Sequence, residues 1–188
     1  ALRSAVAGLR PAKRSGAGGS EEFMVRQFLD TRRSHIGVLV DCNSEAWVDP
    51  DEFETAVSGG ASVIARALRD GQDVSEACGP FVLTRPKRHT ALDLFSRARL
   101  GEESLESAAS HLTRVAPNVS AVLIFVGPLT SVHSIRGASA LFGPDVNVVA
   151  VRVEHGARIG LQRSGGRSIV TIGSLNDLPR ALAGKVSG

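Results

Sequence analysis

Residues 34–45 read SHIGVLVDCNSE, and the reading of this stretch decides the fold. Ile36 to Val40 is a short apolar run rich in β-branched residues, too short for a helix and bounded by polar groups. That is the pattern of a buried strand. Asp41 ends it, and Asn43 and Glu45 follow at two-residue steps. Ligands of open α/β sheets bind just past the carboxyl ends of the strands. The spacing therefore predicts an oxygen-bearing loop at a sheet edge.

Downstream, Phe53, Ala56, Val57, Gly60, Ala61, Ile64, Ala65 and Leu68 recur at helical spacing. Asp49 is placed to cap this helix, Pro50 suits its first position, and Glu52 can complete a capping box. Residues 73–84 are expected to hold two short strands around Gly79-Pro80. The basic stretch RPKRH, 85–89, reads as a loop on the same sheet edge as Asp41. Thr90 then opens a helical segment with Leu92 and Phe95. A second helix carries Leu105, Ala108, Ala109, Leu112 and Val115 on one face. The run AVLIFV, 121–126, is continuously apolar, as for a strand buried on both faces of a parallel sheet. A helix containing Val132, Ile135 and Ala138 follows, then a strand over 146–153. Residues 156–166 read as a loop, 168–172 as a last strand, and Ser174 with Asp177 as the cap of a final helix. This alternation predicts an α/β fold: a doubly wound, mostly parallel open sheet with helices on both faces.

With 188 residues and 43% hydrophobic content, the chain suits one ordinary domain with a substantial core. No apolar run is long enough to span a membrane, and no signal-peptide pattern opens the sequence. Residues 1–33 carry seven Lys/Arg against three Asp/Glu, whereas the rest carries fifteen against sixteen. The basic excess thus belongs to the leading segment. Residues 1–22 read as an irregular basic linker or truncated upstream region, and 23–188 as the α/β domain. Residues 23–33, FMVRQFLDTRR, fit a lead-in strand or an amphipathic turn. A basic arm can bind nucleic acid, but one Trp and no Tyr leave no stacking platform for single strands. Cys42 and Cys78 make no disulfide framework and read as reduced, partly buried thiols of a cytoplasmic protein.

Asp41-x-Asn43-x-Glu45 resembles the first line of the metal-ion-dependent adhesion site of von Willebrand factor A domains, which there reads D-x-S-x-S. Thr90 resembles the threonine that reaches the metal from a later helix. The resemblance implies Asp41, Asn43, Glu45 and Thr90 as metal ligands, with Mg²⁺ as the cation, since hard cations take oxygen donors. The site is degenerate in sequence. Both serines are replaced, and the aspartate the family places after its fourth strand has no counterpart between Ser120 and Ser134. The runs EFMVRQFLDTRRSHIGVLVD, DEFETAVSGGASVIARAL and IVTIGSLNDLPRAL resemble the carboxy-terminal part of the DUF58 family. That resemblance implies a von Willebrand A-like interaction domain of a bacterial protein. It also implies a MoxR-type AAA+ ATPase as partner, a cytoplasmic location and a membrane anchor further upstream.

Other chemistry is weakly signalled. His89, His111, His133 and His155 recur every 22 residues in unrelated contexts and lack zinc-ligand spacing. No G-x-x-x-x-G-K or G-x-G-x-x-G loop and no G-x-S-x-G elbow is present. Trp47 is either an exposed interface anchor or folded back onto the first helix. The sequence is read as a non-catalytic protein–protein interaction domain acting through loops 41–48, 85–90 and 127–131, with Trp47, Arg85, Lys87, Arg88 and Thr90 as partner contacts. Two other readings are a small hydrolase or phosphate-handling enzyme using Asp41 with His89 and Thr90, and a basic-arm nucleic-acid binder.

Overall fold

The computed structural model describes residues 35–164 and 167–183. The expectations for 1–22 and 23–33 lie outside these residues. Seven strands form one sheet in the order β3-β2-β1-β4-β5-β7-β6. They are β1 (His35–Val40), β2 (Asp73–Cys78), β3 (Phe81–Thr84), β4 (Ala121–Val126), β5 (Asn147–Val153), β6 (Gly160–Ser164) and β7 (Arg167–Ile172). Strands β2, β1, β4, β5 and β7 run parallel, and β3 and β6 are antiparallel edges.

The pleat divides the core. Ile36, Val38, Val40, Leu123, Phe125, Val151 and Ile172 face helices α1 (Pro50–Arg69), α2 (Arg88–Ser96) and α5 (Leu178–Leu182). Leu39, Val122, Ile124, Ala150 and Ile169 face α3 (Leu105–Val115) and α4 (Val132–Ala140). The central strands β1 and β4 are buried along their whole length, which is why Ile36–Val40 and Ala121–Val126 are continuously apolar.

Helix α1 has the predicted cap: Asp49 and Glu52 form a reciprocal capping box, with Pro50 at the first position. The helix ends at Gly71, whose φ of +72° suits glycine. Its internal Gly59 is a packing requirement, because a Cβ there would sit 2.7 Å from the Phe125 ring.

Two expectations are corrected. The stretch 156–166 contains β6, which pairs with β7 as an edge strand; its polar residues Gln162 and Arg163 hide the strand pattern. The basic stretch 85–90 lies at the opposite edge of the sheet from Asp41. Strand β3 is antiparallel, so it starts beside Cys78 at the carboxyl edge and delivers Arg85 to the amino edge, where Arg85 N–H bonds Val74 O. Helix α2 then starts at Arg88 rather than Thr90.

Candidate functional site

Strand β1 delivers Asp41 to the carboxyl edge, where its backbone N–H bonds Phe125 O at 2.9 Å. The side chain is 3% exposed. Its Oδ1 accepts from Asn43 N–H at 3.1 Å, and its Oδ2 accepts from the Thr130 hydroxyl at 3.0 Å. Burial pushes the carboxyl up to about 6, against the downward pull of these two bonds; the nearby Glu106 carboxylate adds to the rise.

Asn43 closes the turn. Its Oδ1 accepts from Glu45 N–H at 2.9 Å and starts a 3₁₀ turn over Ser44–Ala46. A second chain segment clamps the loop, with Gly101 N–H bonded to Cys42 O and Ser44 N–H to Gly101 O. The returning segment then enters α3, capped by Ser104 Oγ accepting from Ser107 N–H. Ser131 caps α4 in the same way through Ser134 N–H. Asp41, Asn43, Glu45, Ser104, Glu106, Thr130, Ser131 and Ser134 thus line one polar cleft of about 230 Å³.

The cleft is held from behind. Glu52 is buried, and its Oε2 accepts from the backbone N–H groups of Val48 and Asp49. Its Oε1 accepts from His155 N–H beyond β5, tying the first loop to the β5–β6 connection. Arg152 Nη2 donates to Thr130 O at 3.0 Å. Gly127 fits because the Ala46 carbonyl lies against it: a Cβ there would be 2.0 Å from that oxygen. Leu129 N–H bonds the same carbonyl.

The structure brings Asp41, Asn43 and Glu45 together at this cleft but not the other expected residues. Thr90 and His89 are exposed on the first turn of α2 and do not line it. Lys87 and Arg88 are exposed at the start of that helix, and Arg85 pairs with Asp73 at 3.0 Å. Trp47 is folded inward: it is 7% exposed, meets Phe53 edge-on at 5.5 Å, and donates Nε1–H to Asp41 O. Sequence reasoning missed Ser104, Glu106 and Ser134, whereas Thr130 and Ser131 fall in the expected contact loop 127–131 without being singled out. The available signal was a Ser placed to cap each of two helices that begin at the carboxyl edge.

The donor set fits Mg²⁺ poorly. Asp41 already accepts two hydrogen bonds, and Asn43, Ser104 and Ser131 use their oxygens as caps. Among the described residues, no three His, Cys, Asp or Glu side chains form a metal-holding group.

Several large apolar side chains are exposed along the carboxyl edge, with Leu129 lining the polar cleft itself. Val48 is 69% exposed, Phe81 62% and Leu129 59%, and Leu100 and Leu175 are exposed as well. Val48, Phe81, Leu129 and Leu175 lie in segments that leave or enter strand ends at the carboxyl edge, and Leu100 precedes Gly101, which is bonded to Cys42 there; only Val115 and Leu141, at the far ends of α3 and α4, are comparably exposed elsewhere among the described residues. A separate groove of about 400 Å³ lies between α1 and α5, lined by Ile36, Val63, Ala67, Leu178 and Leu182. It begins at the amino end of β1 and shares no residue with the Asp41 cleft. Among the described residues, no helix is long and apolar enough to cross a membrane.

No family model matches the chain, that of DUF58 included, and no curated protein matches it. The fold is similar to that of a von Willebrand factor type A protein from Catenulispora acidiphila, with 11% identity and a TM-score of 0.48 over 82% of this chain and 42% of that one. It is also similar to proximal thread matrix protein 1 from the mussel byssus, with 14% identity and a TM-score of 0.46 over 80% and 46%. The chain spans less than half the length of either protein.

Proposed function

We propose that this domain is a non-catalytic protein-interaction module that binds its partner through the carboxyl edge of the sheet. The observation that carries this reading is the set of exposed apolar side chains Val48, Phe81, Leu100 and Leu129 along the carboxyl edge, beside a polar cleft that Leu129 lines. Exposed apolar clusters rimmed by polar groups mark protein interaction sites. The floor oxygens are fixed as caps and turn closures, which suits a rigid docking surface. The hydrolase reading lacks its companions, since His89 and Thr90 do not line the cleft.

Two finer proposals rest on the sequence runs that resemble DUF58 proteins. The partner is a MoxR-type AAA+ ATPase, and the domain works on the cytoplasmic side, at the membrane face where the full-length protein is anchored upstream. Metal is not needed for the contact in this reading. The test is binding of the chain to the MoxR-type ATPase of the same genome, with and without Mg²⁺. Leu129→Asp with Val48→Asp is expected to weaken binding at least tenfold, and Leu141→Asp to leave it unchanged. Equal binding by all three proteins would overturn the reading.

A further inference from the structure

The buried thiols of Cys42 and Cys78 are not used by the interaction surface, yet they stand directly behind it. Cys42 follows Asp41 at the end of β1, and Cys78 ends the neighbouring parallel strand β2. Their sulfurs are in contact at 2.6 Å, and both side chains are buried. The backbone places them side by side: Val40 and Cys78 are register partners, and the Gly79 turn, with φ +55°, closes against Cys42 Cβ. The two strand ends belong to different loops, 41–48 and the β2–β3 turn, which carry Val48 and Phe81.

We propose that Cys42 and Cys78 are a thiol pair that peroxide can oxidise to a disulfide, which ties the Asp41 loop to the β2–β3 turn. The step balances with hydrogen peroxide as oxidant. One sulfur attacks the O–O bond, becomes a sulfenic acid and releases one water. The second thiol attacks that sulfenic sulfur, the S–S bond forms, and hydroxide leaves as a second water with the thiol proton. The sulfur pair loses two electrons and the peroxide gains them. A small oxidant is required because both thiols are buried. Contact with Cys78, together with burial, holds the Cys42 thiol well above its ordinary value, so oxidation needs sustained peroxide rather than a brief pulse. The bond constrains a loop closed over 36 residues of sequence separation, which stabilises a fold chiefly through the unfolded chain. The formation of the bond is independent of the partner reading; only its effect on docking rests on that reading.

The test uses the reduced full chain, incubated with or without hydrogen peroxide, then denatured in an alkylating agent and digested. Counting alkyl groups on the cysteine peptides keeps oxidation of Met24 out of the result. The untreated chain is expected to carry alkyl groups on both cysteines. The treated chain should carry none and give one cross-linked peptide pair, reversed by dithiothreitol. Non-reducing thermal unfolding should show Tm raised by several degrees on oxidation, and neither Cys42→Ser nor Cys78→Ser should show that rise. Full alkylation after peroxide, sulfinic acid in place of the cross-link, or an unchanged Tm would overturn the proposal.

Discussion

Thr130 donates its hydroxyl to Asp41 Oδ2 across a sequence separation of 89 residues, joining the loop after β4 to the loop after β1. Both residues are buried, at 8% and 3% exposure. This contact turns two neighbouring strand ends into one floor. Removing it with Thr130→Val leaves Asp41 Oδ2 without its donor, and hydrogen bonds to charged groups contribute roughly 1.5–3 kcal/mol. Urea unfolding at neutral pH should show a loss of that order. A stability equal to the wild type would mean that the two loops are held together by other contacts.

Asp41 itself makes stability depend on pH. Its folded value, about 6, lies above its ordinary 3.8. The folded protein therefore holds a proton that the unfolded chain has released. The contribution is fully present below pH 3.8 and is lost as pH rises through 6. Asp41→Asn should flatten the stability curve over this window, as measured by urea midpoints at several pH values. An unchanged slope would place the titration on another group.

Glu76 gives the larger effect of the same sign. It is fully buried on β2 between Val38 and Leu83 in register, and neither carboxyl oxygen has a hydrogen-bond partner. Burial pushes it up to about 8 from 4.5. Its contribution is present below pH 4.5 and is lost as pH rises through 8, a change on the order of 4–5 kcal/mol. Glu76→Leu should stabilise the domain at pH 8.5 and remove most of this slope. A destabilised variant with the slope intact would contradict the account.

Gly127 leaves no room for a side chain at the end of β4. Any side chain would meet the Ala46 carbonyl, a backbone atom that already accepts from Leu129 N–H. Gly127→Asp should therefore lower Tm by several degrees, in line with overpacking costs of about 1–3 kcal/mol. Calorimetric titration of the variant should show no new Mg²⁺ binding. A stable variant with saturable Mg²⁺ binding would show that the Ala46 turn can yield.

Glu52 was visible in sequence as half of a capping box, but its second task was not. The same carboxylate accepts from His155 N–H, more than a hundred residues away. Local signals of this kind read well here: the α1 cap and the apolar strands β1 and β4 follow from short-range chemistry. What stayed hidden depends on chain direction and long-range pairing. The antiparallel course of β3 moves Arg85, Lys87 and Arg88 to the far edge and takes Thr90 away from the cleft. The return of Gly101 to Cys42 brings Ser104 and Glu106 in their place. Trp47 could not be placed from sequence, because its inward packing depends on Phe53 and on the free carbonyl of Asp41.

The central claim is that the carboxyl edge is the docking surface. The most direct measurement is amide hydrogen exchange of the chain alone and with the proposed partner, a MoxR-type ATPase. Protection on binding is expected in 43–48, 79–82, 99–104 and 127–131, with α5 and the far end of α1 unchanged. Protection confined to the groove between α1 and α5, or to the amino edge around Arg85, would contradict it.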